Sequence, residues 1–253
     1  MCFDTDSRPP IAPIAGGALD AEEARLVSSD GASLRAYIAR AGRPTGAGMI
    51  VLPDVRGLHR YYEELTLRFA EAGIDAVAID YFGRTAPDDD RGDAFPYVDH
   101  VARTEYATLS ADVAAAADAL KAAAGGRPRS LFSVGFCFGG RLAFDTATLG
   151  LGLAGVVGFY GWPIGQGRGG VPAPVDVAGE MRGRVLGIFG GADEGIGPAA
   201  IAEFDAALSA AGVRHEIVSY PGATHSFFDR KHAEFAEASA DAWGRVLAFV
   251  AAG

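Results

Sequence analysis

The chain has 253 residues, of which 49% are hydrophobic, and a net charge of −10 at neutral pH. That composition supports one sizeable core, while the acidic balance disfavours nucleic acid and anionic membrane surfaces as partners and serves solubility. Cys2 and Cys137 are too few for a disulfide framework, the N-terminus carries Asp4 and Asp6 where a secretory leader needs basic residues, and no apolar run reaches the ~18 residues of a membrane span.

Residues 1–20 mix proline and glycine without periodicity, so an extended or mobile lead-in, with Cys2 on a loose end, is expected before a single domain over 21–253. Two apolar-alternating runs, 24–28 and 33–39, flank Ser29-Asp30-Gly31-Ala32, which predicts a hairpin at an antiparallel edge. The apolar run 48–52, closed by Pro53, reads as a buried strand that ends at a functional loop, 54–60. A helix is expected over 61–72 from the stripe Tyr62, Leu65, Leu67, Phe69 and Ala70, with Gly73 as its stop. A strand over 74–79 follows, then a long excursion over 80–104 that holds the acidic run Asp88-Asp89-Asp90. The alanine-rich stretch 110–124 predicts a helix ended by Gly125-Gly126.

The next segment is a strand, a sharp turn and a helix: Ser130-Leu131-Phe132-Ser133-Val134, then Gly135-Phe136-Cys137-Phe138-Gly139-Gly140, then a helix over 141–147. Glycines two residues either side of a nucleophile permit the tight G-x-S-x-G elbow, with cysteine here in place of serine. A helix start behind the thiol favours a thiolate and offers backbone N–H groups to an oxyanion, whereas the plainer reading is a small residue filling a tight turn. Strands at 153–160, 184–189 and 215–220, a glycine- and proline-rich surface loop at 161–183, and helices at 198–211 and 233–252 complete the chain. The last helix is assigned a buried stripe of Ala236, Ala240, Trp243, Leu247 and Val250. The alternation calls for an α/β fold, a mostly parallel sheet with an antiparallel N-terminal edge and helices on both faces.

Ligands gather at the carboxyl ends of the strands in such a sheet, and three reactive residues fall there in the order nucleophile, acid, histidine: Cys137, Asp193 and His225. Histidine can take the proton of a thiol that is mostly protonated near neutral pH, and a carboxylate can orient the ring. Glu194 competes with Asp193 for that place, and Asp193 could instead cap the following helix.

The elbow, Gly190-Gly191-Ala192-Asp193 and Gly222-Ala223-Thr224-His225-Ser226-Phe227 together resemble the dienelactone hydrolase family, cysteine-nucleophile members of the α/β-hydrolase superfamily, from about residue 24 to the C-terminus. The resemblance implies a triad of Cys137, Asp193 and His225, an auxiliary acid, Asp54, near the resting thiol, and an oxyanion hole from the backbone N–H groups of Val55 and Phe138. It implies no cofactor and no metal. The family arginine expected four residues after the histidine is replaced by Asp229, with Arg230 beside it, so Arg56, Arg84, Arg91, Arg103 and Arg230 stand as candidates to hold a substrate carboxylate. Trp162 is a further candidate for the substrate pocket, and Phe136, Phe138, Phe227 and Phe228 either narrow it or pack in the core.

The expectation is therefore a cytoplasmic hydrolase, monomeric or weakly dimeric, that opens a small lactone or ester through an acyl-enzyme. A thioesterase or general carboxylesterase is the alternative enzyme, and a binding or redox-sensor protein with a reactive thiol is the non-enzyme alternative.

Overall fold

The computed structural model describes residues 7–122 and 130–253; the expectations for Cys2 and for Gly125-Gly126 lie outside them. Strands β1 (Ala18–Val27) and β2 (Ser33–Ala41) pair antiparallel across the Asp30-Gly31 turn, where Gly31 takes a φ of 83° that only glycine adopts without strain. β1 begins earlier than its apolar alternation, its first residues pairing with Ala41 and Arg40 at the end of β2.

β3 (Ala47–Leu52) is buried along its whole length, lying between β4 (Ile74–Ile79) and β5 (Ser130–Phe136) and parallel to both. With β6 (Gly155–Phe159), β7 (Arg184–Gly190) and β8 (His215–Tyr220) these make one eight-stranded sheet in the order β1-β2-β4-β3-β5-β6-β7-β8. Only the β1–β2 and β2–β4 pairs are antiparallel. The apolar continuity of 48–52 is thus the mark of a strand covered on both faces.

Helices pack around this sheet. α1 (Arg60–Glu71) lies on β2 and β4 and buries Tyr61, Tyr62, Leu65, Thr66, Phe69 and Ala70, while Leu67 stays half-buried because a two-residue step turns it off that face. The excursion after β4 contains a short helix, α2 (Tyr97–Val101), and α3 (Tyr106–Lys121) starts four residues before the alanine-rich run. α4 (Phe138–Thr146) packs on β5 and β6, and α6 (Pro198–Ala210) on β8. The loop after β6 includes α5 (Pro174–Val177).

The final helix, α7 (Ala236–Ala251), corrects the predicted stripe. Its buried positions are Ser239, Ala242, Val246 and Val250, whereas Ala236 and Ala240 are exposed. Trp243 and Leu247 flank the buried line, and the Ser239 hydroxyl donates to the Phe227 carbonyl, which fixes the rotation of the helix about its axis. A polar residue on the inner face hides such a rotation from a count of apolar positions. No helix among the described residues is long and apolar enough to cross a membrane.

Candidate active site

The register brings the carboxyl ends of the central strands together: Leu52 pairs with Gly135, Phe136 with Phe159, and Gly190 with Tyr220. Cys137 stands at the junction of β5 and α4 with φ 57° and ψ −112°, a conformation that costs a side-chain-bearing residue about 1 kcal/mol or more. Two bonds anchor it, from the Cys137 N–H to the Phe159 carbonyl at 3.0 Å and from the Arg141 N–H to the Cys137 carbonyl at 3.1 Å. The flanking glycines are obligatory for close approach. A Cβ on Gly135 would lie 1.9 Å from the Gly139 carbonyl oxygen, and one on Gly139 would lie 2.2 Å from the carbonyl oxygens of Leu52 and Pro53.

His225, in the turn after β8, meets Asp193, in the turn after β7, through a 2.7 Å contact between Nδ1 and Oδ2. Asp193 Oδ1 accepts the N–H groups of Gly195 and Ile196 at 2.9 and 3.3 Å, so both carboxylate oxygens are engaged. Burial opposes the charge on Asp193, yet the bonds from His225, Gly195 and Ile196 outweigh it and hold the carboxyl below the ordinary aspartate range. Glu194 is exposed, on the wall of the same cavity. The imidazole is packed between Tyr160 and Trp162, with ring centroids 4.9 and 4.8 Å away, and the Trp162 indole N–H donates to the Gly195 carbonyl at 2.9 Å.

Cys137, Asp193 and His225 line one cavity of about 800 Å³, with Val55, Phe138 and Trp162 also on its wall. The arrangement can abstract a proton beside a helix start and hold developing negative charge, which is the equipment of acyl transfer. The sequence model described as the dienelactone hydrolase family matches residues 34–252. The chain belongs to the dienelactone hydrolase family. Among its relatives, a Yersinia pestis protein named "Putative carboxymethylenebutenolidase" is 32% identical over 226 residues, covering 87% of this chain and 84% of that one. A Methylorubrum extorquens protein of the same name is 31% identical over 242 residues, covering 93% and 82%. The crystal structure named "Putative Dienelactone Hydrolase" from Klebsiella pneumoniae superposes with a TM-score of 0.80 at 30% identity, over 92% of this chain and 98% of that one. The protein is a hydrolase of the dienelactone hydrolase type.

Two further acids lie deep beside this site. Asp54, directly after β3, is fully buried; its Oδ1 accepts the Arg56 N–H at 2.9 Å, and its Oδ2 has no hydrogen-bond partner among the described residues. Burial raises its carboxyl to about 7, with the Arg56 N–H, the Arg56 charge and His225 opposing the rise. Asp229, where the family resemblance places an arginine, is buried too; it accepts the Tyr160 hydroxyl at 3.0 Å and the Arg230 N–H, and burial together with Asp54 pushes it well above the ordinary range.

Of the candidate arginines, the structure brings Arg230 into the cavity and keeps the others out. Arg84 is drawn away by Asp30 and Asp112, which accept from its guanidinium at 2.9 and 2.6 Å. Arg56 is buried over the Tyr97 ring at 5.2 Å and donates to the Gly92 carbonyl, Arg91 pairs with buried Asp80, and Arg103 donates to the Asp99 carbonyl. The aromatic expectation divides likewise. Phe138 and Trp162 line the cavity, whereas Phe136, Phe227 and Phe228 are core residues: Phe136 stacks on Phe159 and Phe228, and Phe227 and Phe228 lie tilted against Phe159. Sequence reading missed Arg141, Arg168 and Lys231, which also line the cavity, because nothing local separates such residues from solvated surface cations. Among the described residues no group of three or more His, Cys, Asp or Glu side chains is placed to hold a metal ion.

Proposed function

We propose that the protein hydrolyses a small lactone or ester, with Cys137 as nucleophile, His225 as the base that takes the thiol proton and Asp193 as the group that orients His225. The observation that carries this reading is the 2.7 Å bond between His225 Nδ1 and Asp193 Oδ2, on a cavity that also holds Cys137. With its Nδ1–H donating to the Asp193 carboxylate, the imidazole offers Nε2 as the acceptor for the thiol proton. Thiolate attack on the ester carbonyl builds a tetrahedral oxyanion, held by the N–H of Phe138, in the first helical turn, and by that of Val55. The carbonyl re-forms as the C–O bond to the leaving oxygen breaks, and the imidazolium protonates that oxygen; in a lactone the released group stays tethered to the acyl chain. Water, deprotonated by His225, then attacks the thioester, the C–S bond breaks, and the acid product leaves with Cys137 restored. Asp54 acts beside this set as an auxiliary acid whose charge is felt at His225.

A cavity of about 800 Å³ suits a small molecule, and the names of the relatives point to a butenolide-type lactone bearing a carboxymethylene group. Arg230, Lys231 and Arg168 on the cavity wall supply cations for a carboxylate, with Arg230 taking over from the position that Asp229 occupies. The test is a hydrolysis screen of lactones, aryl esters and thioesters, run beside Cys137→Ala. Turnover of lactones or esters that Cys137→Ala abolishes supports the reading, and preference for thioesters moves it to the alternative enzyme. Turnover that survives Cys137→Ala refutes the nucleophile, and no turnover of any class favours a sensor thiol. Within active substrates, Arg230→Ala is expected to raise KM for an acidic lactone about tenfold and to leave its neutral analogue within about threefold, the size of a single charge-assisted contact.

A further inference from the structure

We infer that Arg141 is a positioning residue that sets the size of substrate the cavity admits, by holding the loop of residues 162–172 as one wall of the cavity. This rests on the reading that the cavity around Cys137 is the active site. Arg141 lies on α4 one turn after Cys137 and is only 6% exposed. Its guanidinium has five N–H donors in a rigid plane. All five find a backbone carbonyl of one loop: Nε donates to Pro172 at 2.9 Å, Nη1 to Trp162 at 3.3 Å and Ile164 at 3.0 Å, and Nη2 to Gly165 at 2.6 Å and Val171 at 3.0 Å.

Among the described residues no carboxylate lies within ion-pair distance of this guanidinium. The partnership is therefore between one cation and the loop backbone, and its purpose is shape: an ion pair would have served burial alone. Gly167 closes the wrap, since a Cβ there would lie 2.1 Å from the Val171 carbonyl oxygen and 2.8 Å from Arg141 Nε. The loop so held gives the cavity Trp162, Gln166, Gly167 and Arg168, and Trp162 packs on His225. The helix that begins at Cys137 thus also fixes the wall facing it, and a change in the wall is a change in which acyl and leaving groups fit.

The experiment uses the full chain with Arg141→Lys, which keeps the charge but offers three donors on a point ammonium, and Gly167→Ala, which disturbs the same wrap from the loop side. Cys137 labelling by iodoacetamide and by the bulky N-(1-pyrenyl)maleimide is followed by mass spectrometry of the Cys137 peptide. This readout does not need turnover, so it separates failure of this inference from failure of the hydrolase reading. Both variants are expected to raise the bulky-to-small rate ratio about tenfold, and to raise KM more than they lower kcat wherever hydrolysis is measurable, as a misplaced wall should. Hydrogen exchange should quicken in peptides covering 162–172 and not in β5. A rate ratio within about twofold of the parent in folded Arg141→Lys overturns the proposal. If that variant does not fold, the same result in Gly167→Ala overturns it, and loss of labelling selectivity with uniform quickening of exchange across the chain marks a general structural role and overturns it as well.

Discussion

At the scale of single residues, the site separates two carboxylates that the sequence leaves adjacent. Asp193 is buried, its two oxygens bind His225 and two backbone N–H groups, and Glu194 is exposed beside it. Asp193→Asn should therefore lower kcat by about two to four orders of magnitude by leaving the imidazole in the wrong tautomer, while Glu194→Gln stays within about threefold. Steady-state kinetics on one active ester decide it, and the opposite ranking would remove Asp193 from its role. Asp54 yields a prediction of direction. Its carboxyl, raised by burial to about 7, lies within electrostatic reach of His225, and its ionised form favours the imidazolium. Asp54→Asn removes that anion, so the acidic limb of the kcat/KM profile should move to lower pH by about half a unit or more. A limb that stays in place, or moves up, would show that the Asp54 charge is not felt at His225.

At the scale of elements, what was legible in the sequence follows from what local chemistry decides. The Asp30-Gly31 turn is fixed by a positive φ that favours glycine, and the β5–α4 elbow by close approaches at Gly135 and Gly139 that leave no room for a Cβ, so their residues announce them. β4 falls at its read position because it is a short, mostly apolar run bounded by turns, and β8 spans His215–Tyr220 as read. The failures share another cause. The rotation of α7 depends on Ser239 reaching the Phe227 carbonyl, and the place of Arg84 depends on Asp30 and Asp112, contacts with partners remote in sequence. Arg141 is the same case within the site: its distance from Cys137 is local, but its five acceptors lie on a loop more than twenty residues away. That the turns after β7 and β8 lie side by side follows from the parallel pairing of those strands, whereas the choice of Asp193 over Glu194 rests on the family resemblance.

At the scale of the whole molecule, buried acids set how stability answers to pH. Asp145, on α4, is fully buried and neither of its oxygens has a hydrogen-bond partner among the described residues; burial raises its carboxyl to about 8, against a partial pull from the Arg141 charge. The unfolded chain releases this proton near the ordinary aspartate value of about 3.9, whereas the folded chain keeps it until about 8. Between those values the folded state binds more protons than the unfolded state, so stability falls as pH rises, by at most about 1.4 kcal/mol per pH unit for one such group. Asp54, raised to about 7, adds a slope of the same sign up to its own value, and the sequence charge of −10 adds self-repulsion. The comparison of Asp145→Asn with the parent isolates one term, because the remaining acids are common to both. Asparagine cannot ionise, so the Tm of the variant relative to the parent should climb steadily from pH 5 to pH 8, by about 5 °C or more if even half of the full slope is realised. Differential scanning calorimetry across that range measures it. A gap in Tm that is flat with pH would mean that Asp145 titrates alike in the folded and unfolded chain, and that water reaches the carboxyl behind the elbow despite its burial.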